Sequence, residues 1–553
     1  RLDVERYQID PTDRQCYLRL LEEAFAGVQG SKAILHLWSL DVLPAEAPSR
    51  DELEQSQRTG CRSALNLVQA MARCSWRDIP RLYLVTRGSQ KVTTTDRSIN
   101  LAQSPLWGLG NAINIEHPEL SCHRIDLSAS LTANETERLV DELETETRED
   151  QLALRGDDRY VARLVQGAFR VDDLAESPLS STAAYLISGG LGGLGLAAAE
   201  WLVQRGARHL VLAGRSAPTE PAQAAIERMR AAGALIVTAS VDVSRQADVA
   251  GLVARFGTEW PSLRGVIHAA AVLDDGIILE QSWERFEHVM AAKMYGAWNL
   301  HVLTLEQQLD FFVCYSSVAT LMGSVGQSNY VVANQFVDAL AQYRRLAGRC
   351  GLSINWGGFS QAGLIARRPG VAESFSSRGM QSLSLAEGNY VLFRLLAGSH
   401  TQVGVTKLNL RRWVSSNPSL ADAPYWSELV NGSSRSQKME LAPKLGWSSV
   451  LLAAKADEQP QLLARHFTEL LGHVLRLPVA KIDPETPLAQ FGFDSLMAVE
   501  MRNRINAELR VSVPVHYLLT GASIARLVRY VQEQLPLAAA EPEDTEEIEE
   551  GAV

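Results

Sequence analysis

Paired cysteines are missing from this sequence. Its six (Cys16, Cys61, Cys74, Cys122, Cys314, Cys350) are scattered and form no CxxC pair. That excludes a disulfide framework or a zinc-ribbon type of site, and it fits reduced core thiols in a cytoplasmic protein with no metal. No apolar run reaches membrane-spanning length and no signal peptide is present, so no membrane contact is expected. An excess of basic charge is also lacking: 53 Lys and Arg stand against 64 Asp and Glu, for a net charge of -11. A nucleic-acid partner is therefore not expected. Seven of those acids (Glu541, Glu543, Asp544, Glu546, Glu547, Glu549, Glu550) crowd the C-terminus without a base between them, as in a solvated, disordered tail over 536–553.

What is present is length and alternation. A chain of 553 residues is too long for one core and implies about three or four domains. The first residue is Arg1, not Met, and ordered-looking sequence follows at once, which suggests a piece of a longer polypeptide. Over roughly the first 165 residues, helical patterns (Arg14–Gly27, Gly60–Arg73) alternate with strand patterns. The strands are Ala33–Leu37, Leu82–Val85, Cys122–Asp126, Gln151–Arg155 and Tyr160–Arg163. Alternation of this kind predicts a parallel sheet covered by helices. No strand here opens into a GxGxxG turn, so residues 1–170 read as an α/β scaffold without a cofactor site.

A second α/β block, 181–430, has seven candidate strands: Ala184–Ser188, His209–Ala213, Ala234–Ala239, Gly265–His268, Phe311–Tyr315, Ser353–Asn355 and Val403–Val405. Seven strands with helical crossovers predict a doubly wound sheet. Periodicity fades over 431–459, as in a linker. Residues 460–535 then read as a small helical unit with helices Gln461–Val474, Ser495–Leu509 and Ser523–Gln534.

The first strand of the second block runs into Gly189, Gly190, Leu191, Gly192, Gly193, Leu194 and Gly195, and then a helix. Gly190, Gly192 and Gly195 match GxGxxG in a strand–turn–helix setting. That spacing lets backbone approach a pyrophosphate seated on the helix N-terminus. The next strand ends in Gly214-Arg215-Ser216. An acid at that point would bond a ribose 2′-hydroxyl, whereas Arg215 suits a 2′-phosphate, so the expected cofactor is NADPH.

Ketone reduction needs a proton donor for the developing alkoxide and a polar group on the carbonyl oxygen. Tyr315-Ser316-Ser317-Val318 follows a strand, and Gln327-Ser328-Asn329-Tyr330 opens a helix. Ser317 and Tyr330 so placed resemble the short-chain dehydrogenase/reductase superfamily. That pattern puts Lys four residues after the Tyr, but Asn334 stands there, while Lys293 occurs earlier in Ala291-Ala292-Lys293-Met294-Tyr295. The exchange resembles the ketoreductase domains of modular type I polyketide synthases and of animal-type fatty acid synthases.

The resemblance covers nearly the whole chain, including Ser104-Pro105-Leu106-Trp107-Gly108-Leu109-Gly110 and Glu116-His117-Pro118-Glu119. It implies a truncated Rossmann-like structural subdomain, a complete Rossmann catalytic subdomain and a four-helix carrier bundle. It further implies that Tyr330 donates the proton and Ser317 bonds the carbonyl. Lys293 would lower the tyrosine pKa and orient the cofactor ribose, with Asn334 supporting Lys293 or a relay water. Asp242 and Val243 resemble the adenine-side contact, and His268, Ala269 and Ala270 the loop beside the cofactor. Leu273-Asp274-Asp275 is similar to the LDD signature of B-type domains. Met322 stands where A-type domains carry Trp, and Val332 is not the proline of epimerising variants. Together they imply a B1-type, 3R outcome.

Phe491-Gly492-Phe493-Asp494-Ser495-Leu496-Met497 sets one serine behind a glycine turn with no nearby base, which reads as an attachment point. Residues 460–535 resemble an acyl carrier protein, implying 4′-phosphopantetheine on Ser495, installed by a phosphopantetheinyl transferase. The implied substrate is a β-ketoacyl thioester. The implied partners are the ketosynthase, acyltransferase and next module of a dimeric synthase. Two other readings stay open: a non-catalytic structural module, and the equivalent fragment of a fatty acid synthase. A free dehydrogenase of small alcohols is at odds with the carrier unit.

Overall fold

A computed structural model describes residues 2, 6–25, 32–42, 47–74, 76, 78–145, 147–167, 179–363, 373, 375–416, 423–434, 447, 451, 454–455, 457–475, 477–493, 495–509, 511, 513–519 and 521–538. Of the tail expected over 536–553, residues 539–553 lie outside the described residues, as does most of the stretch read as linker, whereas 536–538 close a helix, Ile524–Ala538. The chain divides into two compact units, one comprising Arg1–Ser416 and Leu420–Arg435, the other holding the C-terminal helices.

The first unit contains two sheets. The N-terminal sheet has the order β1-β2-β3-β4-β5, with β1 Ala33–His36, β2 Arg81–Arg87, β3 His123–Leu127, β4 Gln151–Arg155 and β5 Asp158–Val161. Four strands pair in parallel, as the alternation predicts. The last does not: β4 and β5 are an antiparallel hairpin turned by Gly156 at φ +60°. A two-residue loop is too short for a parallel crossover. At the carboxyl ends of β2 and β3, where open α/β sheets bind ligands, the buried Asp126 carboxylate is fully engaged. It accepts from Thr86 Oγ1, from Ser89 N and Oγ, from Gln90 N and from Arg155 Nη2, at 2.7–3.2 Å. Its hydrogen-bonding capacity is spent on the protein's own loops.

The predicted helix over 60–73 is the end of a longer one. Helical geometry starts at Arg50, behind a Ser49 capping box with Glu52, and passes through a π-turn at Arg58–Arg62 to Met71. Charged residues on the outer turns (Asp51, Glu52, Glu54) mask its apolar face in the sequence. Helix Pro105–Glu116 is apolar on nearly all sides because it lies between the two subdomains.

The second sheet has the order β13-β11-β10-β9-β6-β7-β8. Its strands are β6 Ala184–Ser188, β7 His209–Gly214, β8 Leu235–Ser240, β9 Leu263–His268, β10 Phe311–Ser317, β11 Leu352–Trp356 and β13 Gln402–Val405. All pairs are parallel. The seven predicted strands all form, each within two residues of its expected ends. Strand order reverses between β6 and β9, which makes the crevice at their carboxyl ends the expected ligand site. A short antiparallel pair, β12 Met380–Gln381 with β14 Lys407–Leu408, carries too few residues to show a period. Helix Ser427–Ser434 runs four residues into the stretch read as linker.

The second unit holds helices Gln459–Leu475, Ser495–Leu509, Val515–Leu519 and Ile524–Ala538. Leu463, Phe467, Leu471, Ala498, Met501, Ile505, Leu527 and Val531 are buried within it. Each large apolar side chain contributes about 1.5–3 kcal/mol on burial. No helix among the described residues is long and apolar enough to cross a membrane.

Candidate active site

The glycine turn is packed to the limit of what backbone allows. Gly189 has φ +72°, and a Cβ there would lie 2.7 Å from Ala270 N. At Gly195 an added Cβ would meet the Gly189 carbonyl oxygen at 2.4 Å. The helix Gly193–Gln204 starts behind Gly192, which has no side chain to cap it. Its first-turn N–H groups and positive end therefore face the β6 crevice, an arrangement that fits a pyrophosphate. Leu191 and Leu194 flank the turn, half-buried or exposed, and Arg215 and Ser216 are exposed just past β7. Asp242 is pinned by Ser244, whose N and Oγ donate to it at 3.0 and 2.7 Å. The Val243 carbonyl accepts from Asn299 Nδ2 at 2.9 Å. Sequence reading missed Asn299, whose partner is 56 residues away.

His268 leads into the Ala269-Ala270 loop, and its side chain turns into the core. Its ring is completely buried, with Nδ1 2.7 Å from Ser188 Oγ and Nε2 2.9 Å from the Lys293 carbonyl. A carbonyl only accepts, so Nε2 carries the proton and Nδ1 accepts from the serine hydroxyl. Burial, and secondly the Lys293 charge, pull its pKa down to about 3. The neutral ring is a strut between β6 and the Lys293 backbone, and the backbone of Ala269 and Ala270 borders the glycine turn at Gly189.

Ser317 ends β10, and its Oγ accepts from Ala319 N at 3.2 Å. Tyr330 stands in the first turn of helix Ser328–Leu346. Asn334, one turn on, donates Nδ2 to the Tyr330 carbonyl at 2.8 Å and leaves Oδ1 buried without a hydrogen-bond partner. Lys293, in the π-turn Ala291–Tyr295, is 2% exposed and donates Nζ to the Tyr315 carbonyl at 2.6 Å. Burial pushes the Tyr330 phenol up, with the Asn334 side chain opposing.

Burial also lowers Lys293 itself, to about 8. Its proton is lost as pH rises through that value, so the charged form dwindles on the alkaline side. If the ammonium serves reduction, kcat/KM should fall above about pH 8, and Lys293→Arg should move that limb upward because guanidinium stays charged. A wild-type profile flat across that range would count against a charged role.

A further group was not legible in the sequence. Asp338, on the same face as Tyr330 and Asn334, is buried and accepts from Ser353 Oγ, Thr320 Oγ1 and Asn355 Nδ2 at 2.5–2.9 Å. Asn355 also donates to the Ser317 carbonyl, which lies 2.9 Å from Thr320 Oγ1 as well. Burial raises Asp338 to about 6, against those hydrogen bonds, and its charge helps Lys293 keep its proton.

Residues 183–361 match the KR domain family, and residues 465–531 match the phosphopantetheine attachment site family. Residues 13–164 match the Rossmann fold domain of the polyketide synthase extender module SpnB. A phenolphthiocerol/phthiocerol polyketide synthase of Mycobacterium tuberculosis is 33% identical over 477 residues, covering 84% of this chain and 25% of the relative. Polyketide synthase GfsB of Streptomyces halstedii is 31% identical over 557 residues, 97% of this chain and 10% of that protein. A solved A1-type ketoreductase superposes with TM-score 0.70 at 28% identity, over 78% of this chain and 88% of its own.

The chain belongs to the polyketide synthases. It is a ketoreductase joined to a carrier domain, and it spans a quarter or less of the length of these two curated relatives.

In the ketoreductase, the Leu273-Asp274-Asp275 loop is tied to the start of the Tyr330 helix. Asn329 Nδ2 donates to the Asp274 carbonyl at 2.7 Å, and Gln327 Nε2 to Asp275 Oδ1 at 3.1 Å. The Asp274 carboxylate accepts from Arg285 Nε at 2.7 Å. Leu273 is partly exposed. In the carrier domain, a helix starts at Ser495 behind Gly492, whose φ of +74° makes the turn. Asp494 and the Ser495 side chain lie outside the described residues.

Proposed function

We propose that this chain reduces the β-keto group of an acyl thioester carried on phosphopantetheinylated Ser495, giving a 3R β-hydroxyacyl thioester in the B1-type manner, with NADPH as reductant. The observation that carries this reading is one juxtaposition. The glycine turn after β6 and the residues Ser317, Tyr330, Lys293 and Asn334 gather at the carboxyl edge of the same sheet, beside its switch point.

The nicotinamide, when bound, supplies a hydride to the β-carbon. The protein's part is to bind and to move a proton. Ser317 Oγ hydrogen-bonds the ketone oxygen, and Tyr330 Oη delivers the proton that turns alkoxide into alcohol. The raised pKa of Tyr330 keeps the phenol protonated and ready to give. Lys293 orients the ribose, and the unmatched Asn334 Oδ1 suits a relay water that returns the proton. Exposed Arg215 favours a 2′-phosphate. Leu273-Asp274-Asp275, with Met322 in place of Trp, favours B-type entry. The A1 label of the solved neighbour belongs to that protein.

On this reading the partners are the ketosynthase, acyltransferase and next module of a dimeric cytoplasmic synthase, and a phosphopantetheinyl transferase. Tethering raises the local substrate concentration to the order of millimolar. The test loads a β-ketoacyl-pantetheine onto Ser495 of the intact chain and weighs the protein with NADPH, with NADH and with neither. A two-hydrogen gain dependent on NADPH, and a 3R acid after release, are expected. No gain would overturn the reductase, equal use of NADH the cofactor, and a 3S acid the B-type assignment.

A further inference from the structure

The catalytic loops are held by a residue outside the catalytic subdomain. Glu116 closes helix Pro105–Glu116, is 1% exposed, and reaches across to two separate segments. Its Oε2 accepts from Ile278 N at 2.6 Å and its Oε1 from Gly326 N at 2.9 Å. Ile278 ends the loop that begins with Leu273-Asp274-Asp275, and Gly326 lies four residues before Tyr330. Those two loops also bond each other, Gly276 N to the Gly326 carbonyl at 2.7 Å. One carboxylate thus clamps both walls beside the proton donor.

The rest of the helix docks on the same region. A Cβ on Gly108 would sit 2.9 Å from the carbonyl of Val331, the neighbour of Tyr330. Asn111 Nδ2 donates to the Thr320 carbonyl at 2.7 Å. Ile115 fills the space beside Gly323, whose φ is +75°. Positions 108, 111 and 115 follow the spacing of one helix face. Gln69, also on the N-terminal subdomain, donates to the carbonyls of Ile278 and Gln281 at 2.6 and 2.8 Å.

We propose that Glu116 is a positioning residue that sets the gap between the Leu273–Ile278 loop and the Tyr330 helix, and so the face of the ketone presented for reduction. The inference rests on the reductase reading above. A carboxylate is needed because both donors are backbone N–H groups and each of its oxygens accepts. Glutamine of the same size would set its own NH₂ against one of them, and an unmet buried donor costs more than the bond was worth. The loop on that side would then drift, and misplacement by ~1 Å can cost about 10²-fold in rate.

The test uses the whole chain, NADPH and the N-acetylcysteamine thioester of 3-oxopentanoic acid. Glu116→Gln should lower kcat/KM by about tenfold to a hundredfold and raise the share of the minor alcohol enantiomer severalfold. NADPH affinity should stay unchanged, because the glycine turn is on other loops. A structural loss alone would reduce the amount of folded enzyme and leave the enantiomer ratio of the remainder untouched; that result overturns the proposal. Should Glu116→Gln fail to fold, hydrogen exchange in the wild-type chain decides. The amides of Ile278 and Gly326 must be protected well beyond open-loop rates, and fast exchange there overturns the clamp. Wild type that exchanges slowly at both amides but reduces nothing would defeat the reductase reading instead.

Discussion

Tyr330→Phe should leave NADPH binding intact while reduction of a β-keto thioester falls by about 10²–10⁴-fold, the usual worth of a positioned general acid. The substitution removes one oxygen and keeps the ring, which packs against the core between the sheet and its helices. Folding should therefore survive. Ser317 would still bond the ketone oxygen, but the alkoxide would have to take its proton from solvent. Single-turnover reduction of a diffusible thioester, with NADPH binding followed by fluorescence, separates the two steps. Turnover near the wild-type level would remove Tyr330 from the mechanism. Loss of NADPH binding would mean that the tyrosine holds the cofactor and not the proton.

Ser495→Ala should abolish the mass increment that a phosphopantetheinyl transferase adds to this chain, while reduction of a diffusible thioester continues unchanged. The loss is complete because the phosphodiester needs an oxygen that alanine lacks. The helix that starts at Ser495 also supplies a positive N-terminal end that favours the new phosphate. An increment persisting in the variant, seen by intact-protein mass spectrometry, would place the attachment elsewhere. If reduction of the free thioester also failed, the carrier domain would be supporting the reductase in some way other than tethering.

Much of this was legible in the order of residues. The seven strands of the second sheet could be read because fully buried parallel strands are apolar runs of Val, Ile and Leu bounded by turns. The Gly189–Gly195 turn could be read because only glycine fits where a Cβ would strike backbone, and that requirement is local. Ser317, Tyr330, Lys293 and Asn334 stood out by their resemblance to a family pattern. The strand β5 was expected but its antiparallel direction was not, because the residues of a strand do not state its direction. The long helix from Arg50 was cut short because its charged first turns hide the apolar stripe.

The chemistry of the buried groups was another matter. His268 stood out by its place in the chain, but its partner Ser188, 80 residues away, and the burial that keeps its ring neutral were not legible there. Lys293 stood out by the resemblance, but the Tyr315 carbonyl that takes one of its hydrogen bonds did not. Asp338 carried no local sign at all, and Glu116 stood out only as part of a motif, with no hint of its partners. Glu116 meets amides 162 and 210 residues further on. The sequence by itself determined the two α/β layers and the glycine turn, because these follow from periodicity and sterics over a few residues. Only the tertiary structure decided which buried polar groups pair and which side chains hold others in place. Desolvation and hydrogen bonding depend on whatever packs alongside, and in this chain those neighbours come from adjoining elements distant in sequence or from the other subdomain.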